Sequence, residues 1–66
     1  MFITLNGERR EFPSPLTLAG LISLLGFDGK PVVIELNHEA IFPRDYAQTT
    51  IQDADRIEMV TLAAGG

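Results

Sequence analysis

The last two residues of this 66-residue chain are Gly65 and Gly66, and here residue type and position together suggest chemistry. A terminal α-carboxylate is ionised at neutral pH and can attack an activated phosphate as a nucleophile. Glycine lacks Cβ, so such an end can thread a narrow channel and bend inside a partner's active site. A side chain at either position would meet the walls of a site that has to enclose a mixed anhydride. Ala63 and Ala64 prolong the slender profile. Residues 63–66 have nothing to pack with and are expected to form an exposed, mobile tail on a domain spanning residues 1–62. On composition and position alone, a frayed end without a role is the more economical reading.

Other kinds of chemistry find little support. With no Cys, the chain has no disulfide, thiolate metal site or cysteine nucleophile. A single His does not make a metal cluster, and no nucleophile elbow or phosphate-binding glycine loop is present. Asp53 and Asp55 form an incomplete ligand set for a cation, and they are read as turn residues. Five Lys/Arg against nine Asp/Glu give a net charge of −4, with no basic stripe, so nucleic-acid binding is not expected. An acidic chain is instead steered toward a partner with a positive docking surface. No signal peptide or membrane span is recognised, and a cytoplasmic location is the default expectation.

The elements that must hold such an end are short. Phe2 to Asn6 alternates, with Ile3 and Leu5 on one face and Phe2 and Thr4 on the other. Asn6-Gly7 suits a two-residue hairpin turn, and a return strand follows from about Arg9 to Phe12, ended by Pro13 and Pro15. Thr17 caps a helix on which Leu18, Leu21, Ile22 and Leu25 fall in one apolar stripe. Gly26 is placed to end that helix in a left-handed conformation, with Phe27 folding back over the last turn. Gly20 in the helix interior costs roughly 1 kcal/mol against Ala. Val32 to Leu36 reads as a strand with Val32, Ile34 and Leu36 buried. Asn37-His38 is a turn, with His38 solvated, and Ala40-Ile41-Phe42 is a brief return segment closed by Pro43. Arg44 to Gln48 forms one helical turn, on which Tyr46 is expected to be half-buried with its hydroxyl wet. Asp53-Ala54-Asp55 is a turn. It leads into a last strand from Arg56 to about Leu62, with Ile57, Met59 and Thr61 inward and Glu58, Val60 and Leu62 outward. The order predicts an α+β fold with one helix packed on a mixed four- to five-stranded sheet.

As a set, these residues resemble the ThiS family of thiamine-biosynthesis sulfur carriers, within the ubiquitin-like β-grasp group. The resemblance spans the chain. It is carried by the hairpin start, the Thr17-led helix, Val33-Ile34-Glu35-Leu36-Asn37, Ile41-Phe42-Pro43-Arg44, Gln52-Asp53-Ala54-Asp55-Arg56-Ile57-Glu58 and Gly65-Gly66. Ala54 departs from the family's usual Gly between the two acidic residues, and His38 from its usual Gly or Gln.

The resemblance implies a protein cosubstrate rather than an enzyme. An ATP-dependent adenylating and sulfur-transferring partner would activate the Gly66 carboxylate. A persulfide sulfur would displace AMP to leave a thiocarboxylate, and thiazole synthase would receive the sulfur. The carrier would bind no cofactor, since the partner consumes the ATP, and it is expected to be a monomer when free. Phe2, Val60 and Leu62, all on the solvent face, are expected to form an apolar docking patch near the root of the tail, together with Ala63 and Ala64. Other readings stay open: a carrier resembling the small subunit of molybdopterin synthase, a ubiquitin-like protein modifier, or an interaction domain with an inert tail. Arg44 is assigned either to a local carboxylate or to a partner.

Overall fold

The computed structural model describes residues 1–62. The expected site residues Ala63, Ala64, Gly65 and Gly66 lie outside them. Strand β1 (Phe2–Leu5) turns through Asn6 and Gly7, at φ 50° and 84°, into β2 (Glu8–Glu11). Two successive residues in the left-handed region make the tight turn whose twist matches that of paired strands. Helix α1 (Leu18–Leu24) follows. Its first turn is closed by Thr17, whose Oγ1 accepts the Gly20 N–H at 3.0 Å. At its end Gly26 takes φ 82° and donates to Ser23 O, while Phe27 N–H reaches back to Ile22 O, each at 3.0 Å. That pair of bonds satisfies carbonyls the helix would otherwise leave open, and Phe27 packs against the core as expected. A Cβ at the helical Gly20 would lie 2.9 Å from Leu16 Cδ1, so the end of that leucine side chain would have to move aside.

The second hairpin pairs β3 (Val32–Leu36) with β4 (Glu39–Ile41) through Asn37 and His38, at φ 51° and 69°. A 3₁₀ turn (Pro43–Gln48) then leads toward β5 (Arg56–Thr61). The strand order is β2-β1-β5-β3-β4. Strand β5 runs parallel to β1 on one side and antiparallel to β3 on the other. Two hairpins thus flank a strand that comes last in the chain, and α1 covers one face. Leu18 and Leu21 of the helix are fully buried, as are Ile3, Ile34 and Ile57 of the three central strands. Burying each of these side chains contributes roughly 2 kcal/mol. The apolar stripe and most of the strand alternation read correctly onto this core, with Leu36 half-buried rather than buried.

Two expectations about single residues are corrected. Tyr46 is buried, not half-exposed, and its hydroxyl is not wet: it donates to Val32 O at 2.9 Å. Strand β4 is too short to reach the Val32 carbonyl, so the phenol takes the place of a strand there. Thr61 has the inward register of Ile57 and Met59 but is exposed. The helix runs out before it covers this end of β5.

Candidate functional site

Strand β5 delivers the chain to the expected acyl end, so the geometry of its last residues sets the site's root. Val60 pairs with Val33, and Leu62 N–H donates to Pro31 O at 3.0 Å, carrying the ladder past the last strand residue. Val33, Val60 and Leu62 are exposed on this part of the sheet, at 48%, 58% and 53%. Cross-strand neighbours on one face lie about 5 Å apart, so Val33 and Val60 form a contiguous apolar step beside the root. Val33 was absent from the expected patch, although its outward register in β3 was readable from alternation. What the sequence did not show was which strand lies opposite it.

Phe2 does not belong to that strip, and the expected contiguity is corrected. Strands β1 and β5 are neighbours, but they run parallel, with Thr4 level with Arg56. Phe2 is therefore level with Ala54, and the six residues from Ala54 to Val60, at about 3.3 Å each, separate them by roughly 20 Å. Ala54 N–H donating to Phe2 O at 2.7 Å fixes this placement. At that far end Phe2 lies under Arg9, whose guanidinium carbon is 4.0 Å from the ring centroid.

The charges around the strip are distributed unevenly. On the outer face, in the row beside Val33 and Val60, Glu35 of β3 is directly opposite Glu58 of β5. Like charges in such a pair oppose folding and favour a cation brought from outside. Arg9, Arg10, Lys30 and Arg44 each lie over a phenylalanine ring, those of Phe2, Phe12, Phe27 and Phe42. Arg44 therefore has a local partner in the face of the Phe42 ring.

The start of β5 is held by polar side chains that the sequence marked only as turn formers. Asp53 Oδ1 accepts the Phe2 N–H at 2.8 Å, tying the loop to β1. Asp55 accepts from Gln52 N–H at 2.7 Å and from the Asn37 amide at 3.0 Å. Asn37 Oδ1 in turn accepts the Arg56 N–H at 2.9 Å. Both carboxylates are thus engaged with the protein's own donors. Among the described residues no group of three or more His, Cys, Asp or Glu could hold a metal. Ala54 between them has φ 73°, the left-handed conformation that glycine adopts without strain. Burial pushes the Tyr46 phenol above its ordinary pKa of 10.0, and the backbone of Ile34 nearby partly opposes the shift. Among the described residues no helix is long and apolar enough to cross a membrane.

Comparison with known proteins places this geometry. A thiazole synthase of Paramagnetospirillum magneticum is 36% identical over 66 residues, covering 100% of this chain and 20% of that protein. The chain thus spans about a fifth of the length of the thiazole synthases it matches. An uncharacterized protein, ycf40, of Porphyra purpurea is 34% identical over 97% of this chain and 90% of its own length. The crystal structure of the thiamine biosynthesis protein (ThiS) from Geobacter metallireducens superposes with a TM-score of 0.82 at 29% identity, covering 100% of both chains. A solution structure of a thiamine biosynthesis protein from that organism gives 0.83, at 29% identity, over 100% of this chain and 88% of the other. The five-stranded mixed sheet with one helix is therefore the β-grasp arrangement of those proteins. The family model of ThiS matches residues 3–66, from the first core residue of β1 to the final glycine, and the chain belongs to the ThiS family.

Proposed function

We propose that this protein is a sulfur carrier for thiamine biosynthesis and that its working group is the carboxylate of Gly66. The observation that carries the reading is a family match whose span, residues 3–66, takes in both the β-grasp body and Gly65 and Gly66. In the proposed sequence a Gly66 carboxylate oxygen attacks the α-phosphorus of ATP held by an adenylating enzyme, and pyrophosphate leaves. A free carboxylate is a poor electrophile, whereas the resulting acyl adenylate carries AMP as a good leaving group. The terminal sulfur of a persulfide on the partner attacks the acyl carbon and expels AMP. A second thiol then cleaves the sulfur–sulfur bond, leaving the thiocarboxylate on Gly66 and a disulfide on the partner.

Thiazole synthase is the proposed recipient of the sulfur. The thiazole synthases from two organisms that match this chain each align with it over a fifth of their length, which supports a working relation between the two activities. The carrier supplies an acyl group and a docking surface, the strip of Val33, Val60 and Leu62, and needs no bound cofactor. It acts as a monomer in the cytoplasm.

Intact-mass measurement tests the reading. The mature protein is incubated with an adenylating enzyme of the thiamine pathway, ATP and a sulfur source. A gain of about 16 Da, one oxygen replaced by sulfur at the acyl end, is the expected result. A ladder of larger conjugates would instead identify a ubiquitin-like modifier. An unchanged mass would reject the carrier role.

A further inference from the structure

Strand β1 ends at Leu5, where the hairpin turns away, while β5 continues to Thr61. The parallel register between them covers only Thr4 with Arg56 and Leu5 with Ile57. Along a strand, successive residues direct their main-chain groups to opposite neighbours. Asn37 N–H donates to Arg56 O at 2.7 Å and Leu62 N–H to Pro31 O at 3.0 Å, so even-numbered residues of β5 face β3. Odd-numbered residues face β1, as Ile57 O does in accepting the Asn6 N–H at 2.9 Å.

Met59 lies beyond the end of β1, and a side chain serves it instead. Its N–H donates to Asn6 Oδ1 at 2.7 Å, and its carbonyl accepts from Asn6 Nδ2 at 3.1 Å. On the other border of the sheet the Tyr46 hydroxyl does the same for Val32 O. Thr61 is the next odd-numbered residue, and its N–H and carbonyl point past Asn6 to a side where, among the described residues, no strand pairs with it. Beside this edge lies a cleft of 360 Å³, lined by the apolar Leu5, Leu25, Phe27 and Met59 and by the polar Asn6, Arg10 and Thr61. Arg10 is steadied over the Phe12 ring, its guanidinium carbon 5.2 Å from the centroid.

We propose that the enzyme acting on Gly66 grips the carrier by adding an extended strand of its own to the free edge of β5 at Thr61. That strand places an apolar side chain in the cleft and a carboxylate against Arg10. The inference rests on the carrier reading above and names how the partner holds this segment. Strand addition takes its affinity from main-chain hydrogen bonds and its specificity from pockets for alternate side chains, and both are present here. The edge immediately precedes residues 63–66 in the chain, so pairing at Thr61 sets the direction in which the acyl end is presented. A second copy of this chain is a poor occupant. Each copy carries a net charge of −4, and an edge this short does not hold two free domains together.

The register supplies a selective test. Thr61→Pro deletes the outward N–H and leaves the β3 ladder intact, whereas Thr61→Ala keeps that donor. The expected result is a kcat/KM for adenylation about tenfold lower with Thr61→Pro than with Thr61→Ala, and unchanged melting for both. Hydrogen exchange on the unmodified protein provides a second readout if the proline variant does not fold: the Thr61 amide should become protected when the enzyme binds. Adenylation of Thr61→Pro at the normal rate, or a Thr61 amide that exchanges freely in the complex, would overturn the proposal. Protection that appears on raising the carrier concentration without enzyme would assign the edge to a second copy and overturn it too. A carrier that is never loaded even unmutated would instead remove the function on which the inference rests.

Discussion

The two ends of β5 are built differently. At its start Asp53 holds the Phe2 N–H, and Asp55 and Asn37 hold each other and the neighbouring backbone. At its end the antiparallel ladder to β3 continues, but the parallel side stops, and past Met59 the chain leaves with one flank bare. The side chains that replace missing strands stop at Met59, one step short of Thr61. Polar stitching concentrates at the start of the strand, and it is absent at the edge where we propose that a partner pairs.

That contrast yields graded expectations. Removing Gly65 and Gly66 should abolish loading altogether while leaving the thermal transition unchanged, as read by intact mass and melting in parallel. A large shift in melting temperature would show that the last residues help to hold the fold and would blur the contrast. Asn6→Gly keeps the positive φ of the turn but removes both bonds to Met59. It should lower stability by about 2 kcal/mol in denaturant titrations, with faster exchange of the Met59 amide.

Tyr46→Phe removes the bond to Val32 O and should lower stability by about 1 kcal/mol near neutral pH. The folded state prefers the neutral phenol, because burial raises its pKa above the ordinary 10.0. The stability this preference contributes is fully present below pH 10 and is lost as pH rises through the folded-state pKa. Tyr46→Phe should therefore flatten the alkaline limb of a stability–pH curve, and a limb as steep as that of the parent protein would contradict the assignment. The smallest effect is at Ala54, where φ is 73°. Ala54→Gly relieves a left-handed alanine against the added freedom of glycine in the unfolded chain, for a net gain of about 0.5 kcal/mol. A fall in melting temperature would show that this turn carries no such strain.

The elements were legible because their signals are local. Asn6-Gly7, Thr17, Gly26 and the stripe of Leu18, Leu21, Ile22 and Leu25 each act within a few residues, and each does in the structure what its chemistry predicts. The body's family membership was legible too, through short motifs that are weak singly and strong in succession. Phe2 was misplaced because alternation gives a residue's face but not its level along the sheet. Tyr46 was misjudged for a related reason: the length of β4, which ends at Ile41 opposite Ile34, decided that the Val32 carbonyl needed a donor from elsewhere. Asn6 carried a second role that no turn rule announces.

The order of residues along the chain was enough to specify the turns, the caps and, Thr61 excepted, the inward faces of the strands, since neighbours in sequence impose these through φ preference and periodicity. Which strands lie side by side, and how far each runs beyond its neighbour, was decided only when β5 settled between the two hairpins. Register is a property of pairs of segments far apart in the chain. It is selected by the fit of the whole core, so the bare flank at Thr61 and the distance between Phe2 and Val60 exist only in the folded molecule.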